Sequence, residues 1–239
     1  MQINEGGNIW PDQTQRIARA DVDPTLGWLE AVTGIPHVDF KLGSTGLKDT
    51  SGDLDIAVNP EKISKEDLVK KLLAWVKTNK PDEDPKQWIK KSGISVHFKT
   101  PIDGDESKGY VQTDLMFGNP DWLQFFYRAD GDSQYKGMIR NVLLSSLAKA
   151  QGLKINDKGL FSRENNNLVT FDPDETADTL MGPGATRQDM GSVEKIFKYL
   201  EKDPERDSKL ADFREYAQKY ELELPESSEL DRIRELAGL

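Results

Sequence analysis

Residues 53 to 58 read Asp-Leu-Asp-Ile-Ala-Val, and this alternation constrains the chain more than any other feature. Successive side chains of a strand point to opposite faces, so Leu54, Ile56 and Val58 share one face while Asp53 and Asp55 share the other. The first face asks for a hydrophobic core. The second sets two carboxylates side by side, and these repel unless a cation joins them. The stretch is therefore expected as a strand with an apolar layer behind it and an acidic front. A bare Asp-x-Asp is also what a turn or a solvated strand end looks like, so the rest of the chain has to decide.

From about residue 25 to 120 the pattern alternates strand and helix, the signature of an α/β layer. Val38, Phe40 and Leu42 fall on one face with period two and predict a strand over 37–42. Ile94, Val96 and Phe98 predict another, and Val111, Thr113, Leu115 and Phe117 one more. Asp114 lies on the face opposite Thr113 and Leu115, and completes a three-carboxylate cluster if its strand neighbours the first. Between the first two strands KLGSTGLKDTSG reads as a turn. Ser64, with Asp67 three residues on, predicts an N-cap for a helix carrying Leu68, Leu72, Trp75 and Val76 and ending near Lys80 and Pro81.

Beyond residue 120 the character changes. A short aromatic-rich helical stretch is expected over 121–129, and a stronger helix over 138–151, with an apolar stripe of Ile139, Val142, Leu143 and Leu147 that Gly152 stops. KINDKGLFSRENNNLVTF alternates with polar turns as a small hairpin does, and the remainder, through Val193, Ile196, Phe197, Leu200, Phe213, Tyr216 and Tyr220, is helical and acidic. The boundary is placed at FGNPDW, which gives domains 1–120 and 121–239.

Composition narrows the chemistry. The 239 residues are 36% hydrophobic, enough to bury a core despite 31% charged residues. No cysteine is present, which excludes disulfides, thiolate metal sites and cysteine nucleophiles, and two histidines are too few for a multi-histidine metal site. Any catalytic metal is then a hard cation held by oxygen. No run approaches the ~18 apolar residues of a membrane span, and MQINEGGNIW lacks the pattern of a secretory signal, so no membrane partner and a cytoplasmic location are expected. The formal charge of −10 argues against a generic DNA-coating protein. Residues 60 to 100 run the other way, with ten lysines against six acids. Such a run reads either as the solvated face of a helix or as a polyanion-binding patch.

The order of these motifs resembles a known family. Gly43-Ser44 closes one segment, Asp53 follows nine residues after Ser44 within Ser-Gly-Asp-x-Asp, and Asp114 stands alone on a later strand. GSTGLKDTSGDLDIAV is similar to the palm motif of the DNA polymerase X family, in the polymerase-beta superfamily of nucleotidyltransferases, and VQTDLMF to its later palm strand. SLAKAQGLKINDKGLF is similar to that family's nucleotide-selecting helix and the hairpin after it, with a weaker echo in GSVEKIFKYL.

The resemblance implies an α/β (α+β) palm with a mixed sheet, a small α+β thumb-like unit and C-terminal helices. It implies two Mg²⁺ (or Mn²⁺) ions on Asp53, Asp55 and Asp114. Gly43 and Ser44 would bind the triphosphate, and Lys48 would stand in for a phosphate-gripping arginine that the family carries after Gly-Ser. Aligned through Gly152, Asn141 falls where the family touches the base; a plain polar helix position is the other reading. The partners implied are a nucleoside triphosphate and an acceptor hydroxyl, most readily a nucleic-acid 3'-end. The family's sugar-selecting segment is not recognisable in FFYRADGDSQYKG, and only about 40 residues precede the palm, too few for helix-hairpin-helix units that hold template and primer. A protein or small-molecule hydroxyl, or an inactive interaction module, are the competing readings. The oligomeric state is not legible.

Overall fold

A computed structural model describes residues 9–128 and 130–225. The chain divides between Gln124 and Phe125 into two compact units. The tail beyond 225, read above as part of the C-terminal helices, lies outside the described residues.

In the first unit β1 (Ile17–Ala18) leads into α1 (Arg19–Thr33), and β2 (Thr50–Ser51) pairs antiparallel with β1. The main sheet follows, built from β3 (Asp53–Val58), β4 (Ile89–Ser92), β5 (Ser95–Pro101) and β6 (Tyr110–Phe117), with α2 (Lys65–Asn79) between β3 and β4. Its order is β3-β6-β5-β4. β3 runs parallel to β6 and the other pairs are antiparallel, so the sheet is mixed.

The alternation in β3 does what the sequence requires. Leu54, Ile56 and Val58 are buried with Val111, Leu115, Val96 and Phe98 of the neighbouring strands, against Val22, Leu26 and Leu29 of α1 and Leu68, Leu72 and Val76 of α2. Trp75 meets Trp28, Trp88 and Phe98 edge to face, at centroid distances of 5.2, 5.7 and 5.7 Å, a geometry that adds to burial. Helix α2 starts where expected: the Ser64 hydroxyl accepts from the Asp67 N–H at 3.0 Å, satisfying one of the first-turn donors.

The strand expected over 37–42 does not form. Val38–Phe40 is a 3₁₀ turn, and only Lys41 bridges to Ile56. The cause lies on α1. The Glu30 carboxylate accepts the backbone N–H groups of His37 and Val38 at 2.6 and 2.9 Å, so these donors are consumed before any ladder can use them. The His37 ring is fully buried. Its Nε2 meets Thr33 Oγ1 at 2.8 Å, and that hydroxyl donates to the Leu29 carbonyl, so Nε2–H is the donor to Thr33.

The second unit holds α4 (Gly137–Ala150), following α3 (Pro120–Tyr127), which crosses the division. The segment read as a hairpin is a three-stranded antiparallel sheet of β7 (Leu153–Asn156), β8 (Gly159–Ser162) and β9 (Leu168–Thr170). Three helices follow, α5 (Pro173–Met181), α6 (Val193–Tyr199) and α7 (Arg206–Lys219). Arg140 is buried on α4, and its guanidinium donates to the carbonyls of Phe125, Phe126 and Arg128 at the end of α3. It thereby satisfies carbonyls that a helix terminus leaves open. No helix among the described residues is long and apolar enough to cross a membrane.

Burial pushes the His37 imidazole down to about 4, whereas an unfolded histidine titrates near 6.5. Between those values the unfolded chain binds more protons at this residue, so the contribution of His37 to stability falls as pH drops from about 6.5 to 4, by roughly 3 kcal/mol at the limit. The contribution is read by difference: between pH 7 and 4.5 the urea midpoint of His37→Gln should change more favourably than that of the parent, by up to about 3 kcal/mol in stability.

Candidate metal centre

Parallel pairing of β3 with β6 sets Asp55 directly beside Asp114, and Asp53 beside Gln112. All four side chains belong to the face away from the core. Asp53, Asp55 and Asp114 each offer an oxygen, and these oxygens lie within 4.8 Å of one another. A strand pair in this register brings together residues some 60 apart in sequence, which no local motif could do.

The segment before β3 braces the site from the other side. The Leu42 N–H donates to the Asp55 carbonyl at 2.7 Å, and the Asp55 N–H donates to the buried Thr45 hydroxyl at 3.0 Å. Between these two contacts the chain turns at Gly43, with φ +54. A Cβ at Gly43 would stand 2.9 Å from Asp55 Oδ2, closer than a carbon and a carboxylate oxygen tolerate. Glycine here supplies both the left-handed backbone and room for the carboxylate. Ser44 and Lys48 are exposed on the same turn region, and their side chains make no hydrogen bond among the described residues.

Two further residues that the sequence did not single out reach the site, one from a third strand and one from β6 itself. His97 on β5 stands opposite Asp114, with Nδ1 2.8 Å from Asp114 Oδ1. The amide of Gln112 donates from Nε2 to the same oxygen at 2.9 Å. Its Oε1 accepts the Ile9 N–H at 2.7 Å, which fixes the orientation of the amide. Gln112 was readable in principle, standing two residues before Asp114 on the same face. His97 was not, because its place depends on the register between β5 and β6.

Asn141 is half-buried on α4 in the second unit, with Oδ1 3.4 Å from Arg140 Nη2. The lysine run separates: Lys62, Lys70, Lys71, Lys77, Lys86, Lys90 and Lys91 are exposed, but Lys99 is buried. Lys99 Nζ stands 4.1 Å from the Trp88 ring centroid and donates to Gln13, so it belongs to packing and not to an open basic surface.

Burial first, then the charges of Asp53 and Asp114, push the Asp55 carboxyl up to about 8. Three converging oxygens from carboxylates, one of them unable to ionise comfortably without a compensating charge, fit a hard divalent cation of the Mg²⁺ or Mn²⁺ type. The donor set contains no sulfur or imidazole ligand of the kind that selects softer metals.

No family model matches the chain, and no curated protein matches it. Among solved structures the chain is similar to the polymerase beta of Leishmania infantum in a ternary P/T complex. That match has a TM-score of 0.46 and 12% sequence identity, over 75% of this chain and 78% of that one.

Because Asp55 is held protonated up to about 8, its contribution to the stability of the metal-free protein should fall as pH rises from about 4 to 8, opposite in sign to that of His37, since the unfolded chain binds fewer protons at this residue there. Cation binding must then release a proton. Calorimetric Mn²⁺ titrations at pH 7 in buffers of different ionisation enthalpy should show release of about one proton, and affinity should rise with pH until about 8. Asp55→Asn should abolish both effects.

Proposed function

We propose that the chain is a metal-dependent nucleotidyltransferase, moving a nucleoside monophosphate from a (d)NTP to an acceptor hydroxyl with release of pyrophosphate. The observation that carries this reading is the convergence of Asp53, Asp55 and Asp114 beside a glycine turn braced on Asp55. Two bound Mg²⁺ (or Mn²⁺) ions would supply charge neutralisation for the triphosphate and acidify the acceptor hydroxyl. Asp53 and Asp55 would hold both ions. Asp114 would complete the ligand set next to the acceptor and take its proton. The exposed Ser44 hydroxyl and the N–H groups of the turn around Gly43 would bind the β- and γ-phosphate oxygens, with Lys48 adding charge. The resemblance noted above further assigns Asn141 to the nucleotide base.

The preferred acceptor is a nucleic-acid 3'-end, in keeping with the seven exposed lysines between Lys62 and Lys91. A charge of −10 over the whole chain favours a protein or small-molecule hydroxyl as the second reading. Offering α-labelled NTPs and dNTPs with Mg²⁺ or Mn²⁺ to DNA primers, tRNA and cell extract separates the two by which macromolecule takes up label. Label transfer to none of them, with each nucleotide and metal tried, contradicts the nucleotidyltransferase reading.

Two substitutions should divide binding from chemistry. Asp114→Ala removes a ligand and the proton acceptor while the triphosphate keeps its contacts at Ser44, so turnover should fall at least ~10³-fold with nucleotide affinity within about tenfold of the parent. Ser44→Ala should weaken nucleotide binding more than it slows the bound complex. Single-turnover kinetics with varied nucleotide read both quantities.

A further inference from the structure

The two N–H donors on Asp114 converge on one oxygen. His97 Nδ1 and Gln112 Nε2 both meet Oδ1, at 2.8 and 2.9 Å, whereas no donor among the described residues meets the carboxylate of Asp55. A carboxylate oxygen accepts, so His97 carries its proton on Nδ1. The opposite ring nitrogen, Nε2, is buried and has no hydrogen-bond partner among the described residues. His97 is 8% exposed, and among the described residues its ring makes one polar contact, to Asp114. A histidine placed there only to fill space would leave a buried nitrogen unsatisfied that phenylalanine or leucine would not carry. The residue is better explained by the contact it does make.

We propose that His97 is a positioning residue for the metal centre: it holds Asp114 by Oδ1, fixes the rotation of the carboxylate, and leaves the remaining oxygen as the ligand. This rests on the reading of Asp53, Asp55 and Asp114 as ligands of a hard cation. His97 touches neither substrate nor metal in this arrangement and acts through Asp114 alone. Gln112 supplies the second donor from the same strand, its own amide oriented by Ile9. Partners behind a metal ligand orient it and raise its basicity, and losing one costs typically about 10–100-fold in metal affinity.

The test is titration of the full chain with Mn²⁺ alone, followed by electron paramagnetic resonance of the free ion. His97→Phe fills the space without a donor and should weaken Mn²⁺ binding about 10–100-fold. His97→Asn places an amide N–H near the position of Nδ1 and should return affinity to within about threefold of the parent. His97→Gln carries its amide one bond further out and should not. The Asn and Gln variants decide the matter even where the aromatic variant fails to fold. Asn binding as weakly as Gln, or Phe binding as tightly as the parent, overturns the positioning role while leaving the metal centre standing. A parent protein that binds no Mn²⁺, under conditions where it is folded, overturns the metal centre itself and the role of His97 with it.

Discussion

The parallel pairing of β3 with β6 is the contact on which the candidate centre depends. One register of that pair places Leu54 beside Thr113 and Ile56 beside Leu115 on the core side, and Asp55 beside Asp114 on the other. A slip of one residue would turn the aspartates into the core and the apolar residues out. The hydrophobic layer against α1 and α2 therefore does more than stabilise the first unit. By forbidding the slip, it fixes the distance between two carboxylates that repel each other.

That repulsion is held in place by contacts that belong to the fold. Thr45 and Leu42 tie the preceding segment to both backbone groups of Asp55, Gly43 leaves space for its side chain, and His97 and Gln112 grip Asp114 from the neighbouring strand and from its own. Gly43, His97 and Gln112 each serve a carboxylate rather than the core. A fold that needed only a stable sheet could replace the acidic pair with neutral residues and gain stability, so the charge is kept at a cost, as functional sites commonly do.

Much of this was legible in the sequence where the signal is local. Period two in residues 53–58 gave the strand and its acidic face, and Ser64 with Asp67 gave the start of α2. What failed depended on partners distant in sequence. His37 to Leu42 has the alternation of a strand, but Glu30 takes the backbone donors a ladder would need. The edge strand β4 was not read because Lys90, Lys91 and Ser92 are exposed on it and break the alternation, a composition that edge strands use to avoid unwanted pairing. The link from Asp53 and Asp55 to Asp114 came only through resemblance to a family, since no spacing encodes which strands will be neighbours. His97 could not be found at all without the β5–β6 register.

The central claim is that Asp53, Asp55 and Asp114 form a site for a hard divalent cation, and diffraction tests it most directly. Crystals grown or soaked with Mn²⁺ and a non-hydrolysable triphosphate, measured at a wavelength where manganese scatters anomalously, should show a strong peak about 2 Å from an oxygen of each of the three carboxylates. The same experiment on Asp55→Asn should lose or displace that peak. A parent crystal with saturating Mn²⁺ and no anomalous density among the three carboxylates would contradict the claim.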